Sequence, residues 1–222
     1  MSNLLRVGLM VDGPTDQRFL TSVVQRTYEH LVLDCPGQID VFDVEVITPA
    51  GEGFVSQVLA AARQAYEQGF DVLVVHTDAE AATDQAAFIH KLDPALEALA
   101  NTPGDLCRIL VPLVTVRMVE AWMLADLALI KDEIGTDLSE HDLGLTKKPE
   151  TYADPKHQIR EAIRLAHAGR SRRQRDQVSI SELYQPIGQQ IDLTCLRQLP
   201  SYLAFEQAAL ASLVERGFLP EG

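Results

Sequence analysis

Val-Gly-Leu-Met-Val-Asp-Gly-Pro-Thr-Asp, residues 7–16, joins a short apolar run to an acidic turn. Residues 72–80, Val-Leu-Val-Val-His-Thr-Asp-Ala-Glu, have the same arrangement. A short apolar run that ends in turn residues is typical of a buried strand. Because apolar residues at helical spacing follow each run, strands alternate with helices, which indicates a parallel sheet with right-handed crossovers. We therefore predict an α/β fold with an open, mostly parallel, Rossmann-like sheet flanked by helices.

The predicted elements divide the chain into two parts. Strands are expected at residues 5–11, 43–48, 71–76 and 108–111, and helices after Thr15 and at 55–66, 84–100, 157–167, 180–190 and 202–216. Thr15 is the predicted N-cap of the first helix. Pro112 should stop the last strand or place it at a sheet edge. Residues 1–131 are predicted to form the α/β domain, and residues 132–222 a helical C-terminal extension packed on it.

Composition restricts the class of protein. The chain has 222 residues, a net charge of −13 and three widely spaced cysteines without a CxxC pair. These cysteines are typical of reduced thiols, and no apolar run approaches the roughly 20 residues of a membrane span. The N-terminus lacks a signal-peptide pattern, so a cytoplasmic protein with no membrane partner is expected. The negative charge opposes a general, sequence-independent grip on nucleic acid, which requires Lys and Arg.

A local basic segment contrasts with this overall charge. Its arginines are Arg160, Arg164, Arg170, Arg172, Arg173 and Arg175, and Lys156 lies just before them. The segment can be read as a solvated helix end or as a contact with the phosphate backbone of a nucleic acid. On the second interpretation, the candidate contacts are Lys156, Arg170, Arg172 and Arg173.

The first acidic turn has the chemistry of a phosphate and metal site. Asp12 follows the strand, and Gly13 lets the backbone turn sharply or approach a ligand closely. A helix that starts near Thr15 would direct free N–H groups at the strand end. Asp12 could then hold a metal ion while Gly13 and Thr15 bind phosphate. The alternative is an ordinary capped turn with Asp12 exposed. The turn has no Gly-Lys-Ser/Thr, so it is not a Walker A loop.

Asp78 and Glu80 lie two residues apart at the end of the strand at residues 71–76. On an extended backbone such residues point the same way, so both carboxylates can reach one ion. Magnesium favours one or two carboxylates with retained waters. The alternative is a solvated strand end. His76 would face the same way, but a single histidine is more often packed in the core than a ligand.

Glu120 lies within an almost wholly apolar stretch, residues 118–129, which predicts one continuous buried helix. A buried carboxylate requires a partner, because an isolated buried charge is very costly. That partner could be Arg117, a hydrogen-bond donor or a metal ion. Asp126 would lie about 240° around the same helix, so it need not face the same site. Trp122 is expected in the core.

Residues 12–16 and 77–80 resemble the two motifs of the TOPRIM fold, which occurs in topoisomerases, bacterial primases, recombination proteins and OLD-family nucleases. Residues 119–126, 154–156 and 191–205 resemble blocks of the bacterial DUF4276 family of TOPRIM-like proteins. The resemblance implies a Mg²⁺ or Mn²⁺ site and catalytic roles for Asp12, Asp78 and Glu80, with Glu120 as a further metal ligand. TOPRIM enzymes usually have Glu at the position of Asp12 and Asp at the position of Glu80. Each exchange shifts the carboxylate by about 1.5 Å.

The leading functional hypothesis is a divalent-metal-dependent nuclease, which the resemblance links to bacterial phage defence. The runner-up is a non-catalytic or partner-activated subunit of an ATPase-coupled defence or toxin–antitoxin system, which the exchanged motif residues and the charge of −13 favour. A small-molecule phosphohydrolase or nucleotidyltransferase is a third hypothesis. The expected partners are nucleic acid, with DNA favoured, and an ATPase; a homodimer is also considered.

Overall fold

The computed structural model describes residues 3–168 and 179–220. Four parallel strands form the central sheet in the order β4-β2-β5-β6: β2 (Val7–Met10), β4 (Glu45–Ile47), β5 (Val72–Asp78) and β6 (Leu110–Thr115). Strands β1 (Leu4–Leu5) and β3 (Asp40–Val41) form a separate parallel pair. The chain adds β4 on one side of β2 and β5 on the other. The topological switch point of the sheet therefore lies between β2 and β5.

Helices cover both faces of the sheet. They are α1 (Pro14–Leu31), α2 (Phe54–Glu67), α3 (Gln85–Ala87), α4 (Asp93–Asn101), α5 (Val119–Met123), α6 (Leu127–Glu133), α7 (Pro155–Ala166), α8 (Ile180–Gln190), α9 (Leu193–Leu196) and α10 (Pro200–Glu215). A π-helical segment, Phe88–Leu92, joins α3 to α4, and short 3₁₀ turns span Val32–Asp34 and Pro149–Thr151. Within the described ranges, no helix is both long enough and apolar enough to cross a membrane.

The side chains of β5 alternate between two hydrophobic cores. Val72 and Val74 pack with α1 and with the helices after β6, whereas Leu73 and Val75 pack with α2 and α4. Both faces of β5 are buried, which explains why its sequence is a continuous apolar run instead of an alternating one. The predicted α/β fold with a parallel, helix-flanked sheet is confirmed.

The helices after residue 131 share a core with the sheet. Tyr184 of α8 and Tyr202 and Phe205 of α10 are buried in the same cluster as Val74. The division at residue 131 stays a prediction. Pro112 lies inside β6, where it is paired with Val75, so the expected stop at Pro112 is wrong. The expected edge position is correct, because an edge strand tolerates the missing N–H of proline.

Two local predictions near the acidic residues are also wrong. Helix α1 begins at Pro14 with Gly13 as its N-cap, so Thr15 lies in the first turn. The fixed φ of proline suits the first helical position, which explains the earlier start. The predicted continuous helix through residues 118–129 is broken at Asp126, whose Oδ1 accepts a 3.0 Å hydrogen bond from the Leu129 N–H. Asp126 therefore caps α6, as short acidic side chains commonly do.

Gly188 sets the distance between α8 and α1. A β-carbon at this position would lie 2.5 Å from the carbonyl oxygen of Phe19 and 2.9 Å from its Cα. Both are backbone atoms of α1, so they cannot move aside as a flexible side chain would. The close approach of the two helices therefore requires glycine at position 188.

We expect Gly188→Ala to lower the free energy of unfolding by about 1–3 kcal/mol, because the added methyl group overpacks the helix interface. Urea unfolding followed by circular dichroism measures the change. Gln189→Ala is the matched control, because Gln189 is exposed on the same helix and should change stability by less than about 0.5 kcal/mol. Overlapping curves for Gly188→Ala and the wild type would contradict the close packing.

Candidate functional site

The two acidic strand ends predicted from the sequence lie side by side. Strand β2 pairs in parallel with β5, with Met10 opposite Val75. Asp12 follows β2, and Asp78 is the last residue of β5, so both lie at the carboxyl edge of adjacent strands. This is the topological switch point, where ligands bind in open α/β sheets. We refer to Asp12, Asp16, Asp78, Glu80 and Glu120 as the acidic edge.

The charges of the acidic edge interact with one another. Burial at the rim is the main cause that raises the pKa of Asp12, and Asp78 and Glu80 raise it further. The nearby His76 and Lys91 act in the opposite direction. Carboxylates from the first two acidic patches of the sequence are therefore close enough to oppose each other's ionisation.

Asp16 connects this group to the third patch. Burial raises the pKa of Asp16 to about 6, with further contributions from the carboxylates of Asp78, Glu120 and Asp12. A carboxyl group with a pKa near neutrality can accept or donate a proton at physiological pH. Asp16 belongs to the first acidic turn of the sequence, but the sequence analysis did not identify it as a site residue. Asp16 lies four residues after Asp12, at the start of α1, and this proximity was the signal that could have identified it.

The Asp78 carboxylate is held by a neighbouring strand. Thr115, its register partner on β6, donates a hydrogen bond from Oγ1 to Asp78 Oδ1. His76 Nε2 lies 3.2 Å from Thr115 Oγ1 and 3.5 Å from Asp78 Oδ1. His76 and Thr115 are fully buried, whereas the Asp78 side chain is 29% exposed. Asp78 therefore stands at the rim on a buried polar support.

The prediction that Glu80 and Asp78 point the same way assumed an extended backbone, but Glu80 lies outside the strand. Strand β5 ends at Asp78, and Glu80 has a φ of 55°, in the left-handed region. Its N–H donates to the carbonyl of Arg117, which has a φ of 68°. Two non-glycine residues with positive φ thus face each other beside the acidic edge. Strain of this kind is concentrated at functional sites.

Glu120 is buried and has two partners. Lys156 Nζ lies 2.9 Å from Glu120 Oε1, and the Tyr184 hydroxyl donates to the same oxygen. Burial, followed by the hydrogen bond to Glu120, raises the pKa of Tyr184. Arg117, one of the candidate partners, forms no ion pair with Glu120 in the described part of the chain, and its Nε is buried there without a hydrogen-bond partner. The Lys156 side chain is 35% exposed, so it can also face a ligand.

Lys91 brings a second cation to the edge. It lies in the π-helical segment between α3 and α4 and donates a 2.8 Å hydrogen bond from Nζ to Thr77 Oγ1. Its Nζ also lies 6.0 Å from the centre of the Phe54 ring. Single π-helical turns occur frequently at functional sites. Phe54 lines an open cavity of about 660 Å³ at the start of α2.

The first turn of α1 directs backbone N–H groups at the acidic edge. The first α-helical hydrogen bond runs from the Gln17 N–H to the Gly13 carbonyl at 3.1 Å. The N–H groups of Thr15 and Asp16 precede it, so they have no partner within the helix. Thr15 Oγ1 donates to Asp16 Oδ1 at 3.4 Å. The candidate phosphate contacts Gly13 and Thr15 therefore lie beside the carboxylates.

The donor set matches a hard divalent cation in chemistry, because it consists of carboxylate oxygens. Within residues 3–168 and 179–220, however, no three His, Cys, Asp or Glu side chains are grouped closely enough to hold an ion.

The candidate contacts Arg170, Arg172 and Arg173 lie outside the described residues. Thr115 and Tyr184 were missed by sequence reasoning because no local pattern connects either residue with its carboxylate.

Comparisons of the chain with protein-family models, curated proteins and solved structures found no match.

The raised pKa of Asp16 predicts a pH dependence of stability. The unfolded chain takes up this proton near pH 3.8 and the folded chain near pH 6, so stability increases as the pH falls from about 6 to 4. We expect Asp16→Asn to raise the free energy of unfolding at pH 8 by about 1–3 kcal/mol, after allowance for solvent screening. The gain should disappear at pH 4.

Urea unfolding of the wild type and Asp16→Asn at pH 4, 6 and 8 measures this dependence. Asp34→Asn removes an exposed carboxylate away from the site and serves as the control. A stability difference for Asp16→Asn that is the same at all three pH values would show that Asp16 does not carry the raised pKa.

The left-handed conformation of Glu80 predicts a second effect. We expect Glu80→Gly to raise the free energy of unfolding by about 1 kcal/mol, because glycine adopts positive φ without a steric cost. Glu97→Gly, at an exposed position inside α4, is the control and should lower stability by about 1 kcal/mol. Thermal melting compares the two variants. A loss of stability in Glu80→Gly would show that the Glu80 side chain contributes more than its backbone conformation costs.

Proposed function

We propose that this chain is a divalent-metal-dependent nuclease of TOPRIM type that hydrolyses phosphodiester bonds. The observation that carries the proposal is the meeting of Asp12, Asp16 and Asp78 at the topological switch point. Asp16, with a pKa of about 6, is the kind of group used in proton transfer near neutral pH. The motif resemblance to TOPRIM proteins points to the same chemistry.

Residues of the acidic edge have distinct proposed roles. Asp12, Asp78 and Glu80 would hold Mg²⁺ or Mn²⁺, with Glu120 as an additional ligand. A bound ion would supply positive charge that polarises a phosphoryl oxygen. Asp12 would either act as a ligand of that ion or take a proton from the attacking water, and Asp16, with its raised pKa, is a second group suited to the proton transfer.

Positive groups around the edge would hold the substrate. Lys156 is bound to Glu120 but partly exposed, so its ammonium group can contact a phosphate. The N–H groups in the first turn of α1 can donate hydrogen bonds to a second phosphate oxygen. Arg170, Arg172 and Arg173 are proposed backbone contacts of the substrate strand, with DNA as the favoured nucleic acid.

The electrostatics of the acidic edge favour a cation as the missing partner. The neighbouring carboxylates contribute to the raised pKa of Asp12 and of Asp16, so their negative charges oppose the ionisation of these two groups. A divalent cation removes the repulsion because its charge exceeds that of any nearby side chain. Lys91 balances only part of the negative charge on Asp12, whose pKa stays raised.

A second candidate function is a partner-activated subunit of an ATPase-coupled defence or toxin–antitoxin system. The net charge of −13 favours it, because a polyanionic substrate is repelled unless another chain supplies basic surface. The resemblance to DUF4276 proteins connects this role with phage defence.

Cys35, Cys107 and Cys195 are free thiols, which supports the proposed cytoplasmic location. A homodimer stays a prediction.

We expect Asp78→Asn to reduce divalent-dependent cleavage by about 10²-fold or more, because the amide removes the charge that faces the ion. Cleavage of plasmid, linear single-stranded DNA and RNA is measured with Mg²⁺ or Mn²⁺ and with EDTA. Asp84→Asn is the matched control: Asp84 lies in the loop after β5 and its side chain does not cap the next helix. It should cleave like the wild type.

The results separate the candidate functions. Cleavage by the wild type that is lost with EDTA and in Asp78→Asn supports the nuclease. Saturable Mn²⁺ binding without cleavage supports the partner-activated subunit, and purification with the associated ATPase then becomes the next experiment. Hydrolysis of nucleotides but not of polymers indicates a small-molecule phosphohydrolase. Full activity in Asp78→Asn would contradict the proposed site.

A further inference from the structure

A chain of hydrogen bonds leads from the core to the acidic edge. His76 and Asp78 are two residues apart on β5, so their side chains lie on the same face of the sheet. Thr115 lies directly opposite Asp78 in the parallel register of β5 and β6. Its Oγ1 is in contact with Asp78 Oδ1 and is 3.2 Å from His76 Nε2.

The proton positions along this chain follow from donor and acceptor chemistry. An ionised carboxylate only accepts, so the Thr115 hydroxyl directs its single proton to Asp78 Oδ1. Thr115 Oγ1 must then accept from His76, which places the imidazole proton on Nε2. His76 Nδ1 is left as the unprotonated nitrogen, and it is buried without a partner among the described residues.

We propose that Thr115 and His76 are positioning residues that fix the Asp78 carboxylate for binding a divalent cation, an inference that rests on the proposed function. Thr115 bonds to Oδ1 and His76 supports Thr115, so the second oxygen, Oδ2, remains for the ligand. Carboxylates that bind metal ions are commonly oriented by such outer hydrogen bonds. The buried, unpaired Nδ1 is a cost that core packing alone does not require.

A conservative pair of substitutions at position 115 tests the inference. Thr115→Val keeps the shape of the side chain but removes the hydroxyl, whereas Thr115→Ser keeps the hydroxyl. We expect Thr115→Val to weaken Mn²⁺ binding by about 10–100-fold and Thr115→Ser by less than about threefold. Electron paramagnetic resonance of free Mn²⁺ measures the affinity, and thermal melting confirms that each variant is folded.

Thr27→Val is the matched control for loss of a buried hydroxyl. Thr27 is fully buried, and its Oγ1 bonds to the Val23 carbonyl at 2.8 Å and to the Tyr202 hydroxyl at 3.0 Å, away from the acidic edge. Its Mn²⁺ affinity should equal that of the wild type. Equal affinities of the wild type and Thr115→Val would overturn the positioning role. A wild type that does not bind Mn²⁺ would overturn the proposed function and the positioning role together.

Imidazole ¹⁵N chemical shifts test the hydrogen-bond chain without a metal ion. We expect the Nε2–H tautomer of His76 in the wild type and in Thr115→Ser, and a larger share of the Nδ1–H tautomer in Thr115→Val. If His76 of the wild type were in the Nδ1–H form, the proposed chain of hydrogen bonds would be overturned, whatever the Mn²⁺ affinity of the protein. This measurement therefore separates failure of the hydrogen-bond chain from failure of the nuclease hypothesis.

Discussion

Parallel pairing of β2 with β5 brings Asp12 and Asp78 to one edge of a buried sheet, and the other features of the site depend on that pairing. Both strands are buried between helical layers, so their register is fixed by the packing of alternate side chains. The connection after β2 leads to β4 on one side, and the connection after β5 leads to β6 on the other, which opens the crevice at the switch point. The fold therefore gathers carboxylates where the sheet offers room for a ligand.

Grouping several carboxylates at one edge of the sheet carries an electrostatic cost that the structure balances only in part. Lys156 and Tyr184 both contact Oε1 of Glu120, so the charge of this carboxylate is compensated. Asp12 and Asp16 keep raised pKa values despite the nearby His76. Incomplete compensation of carboxylate charge is typical of sites that bind cations or transfer protons, because stability alone would favour a partner for every carboxylate. The proposed nuclease site follows from this imbalance.

The backbone around the site departs from regular geometry in several places. Glu80 and Arg117 adopt positive φ, and Lys91 lies in a π-helical segment. Away from the edge, helices such as α2 and α10 are regular. Local strain is therefore concentrated at the acidic edge, as expected where function competes with stability.

The sequence by itself determined the order of strands and helices, the parallel sheet, and the positions of Asp12 and Asp78 at strand ends. These features follow from local periodicity, since burial on a strand or a helix repeats at a fixed spacing. Only the tertiary structure decided that Thr115 holds Asp78, 37 residues away, and that Tyr184 holds Glu120, 64 residues away. It also decided that Lys156 pairs with Glu120 and that Asp126 ends a helix. Such partners are chosen by packing between distant segments, which no local pattern encodes.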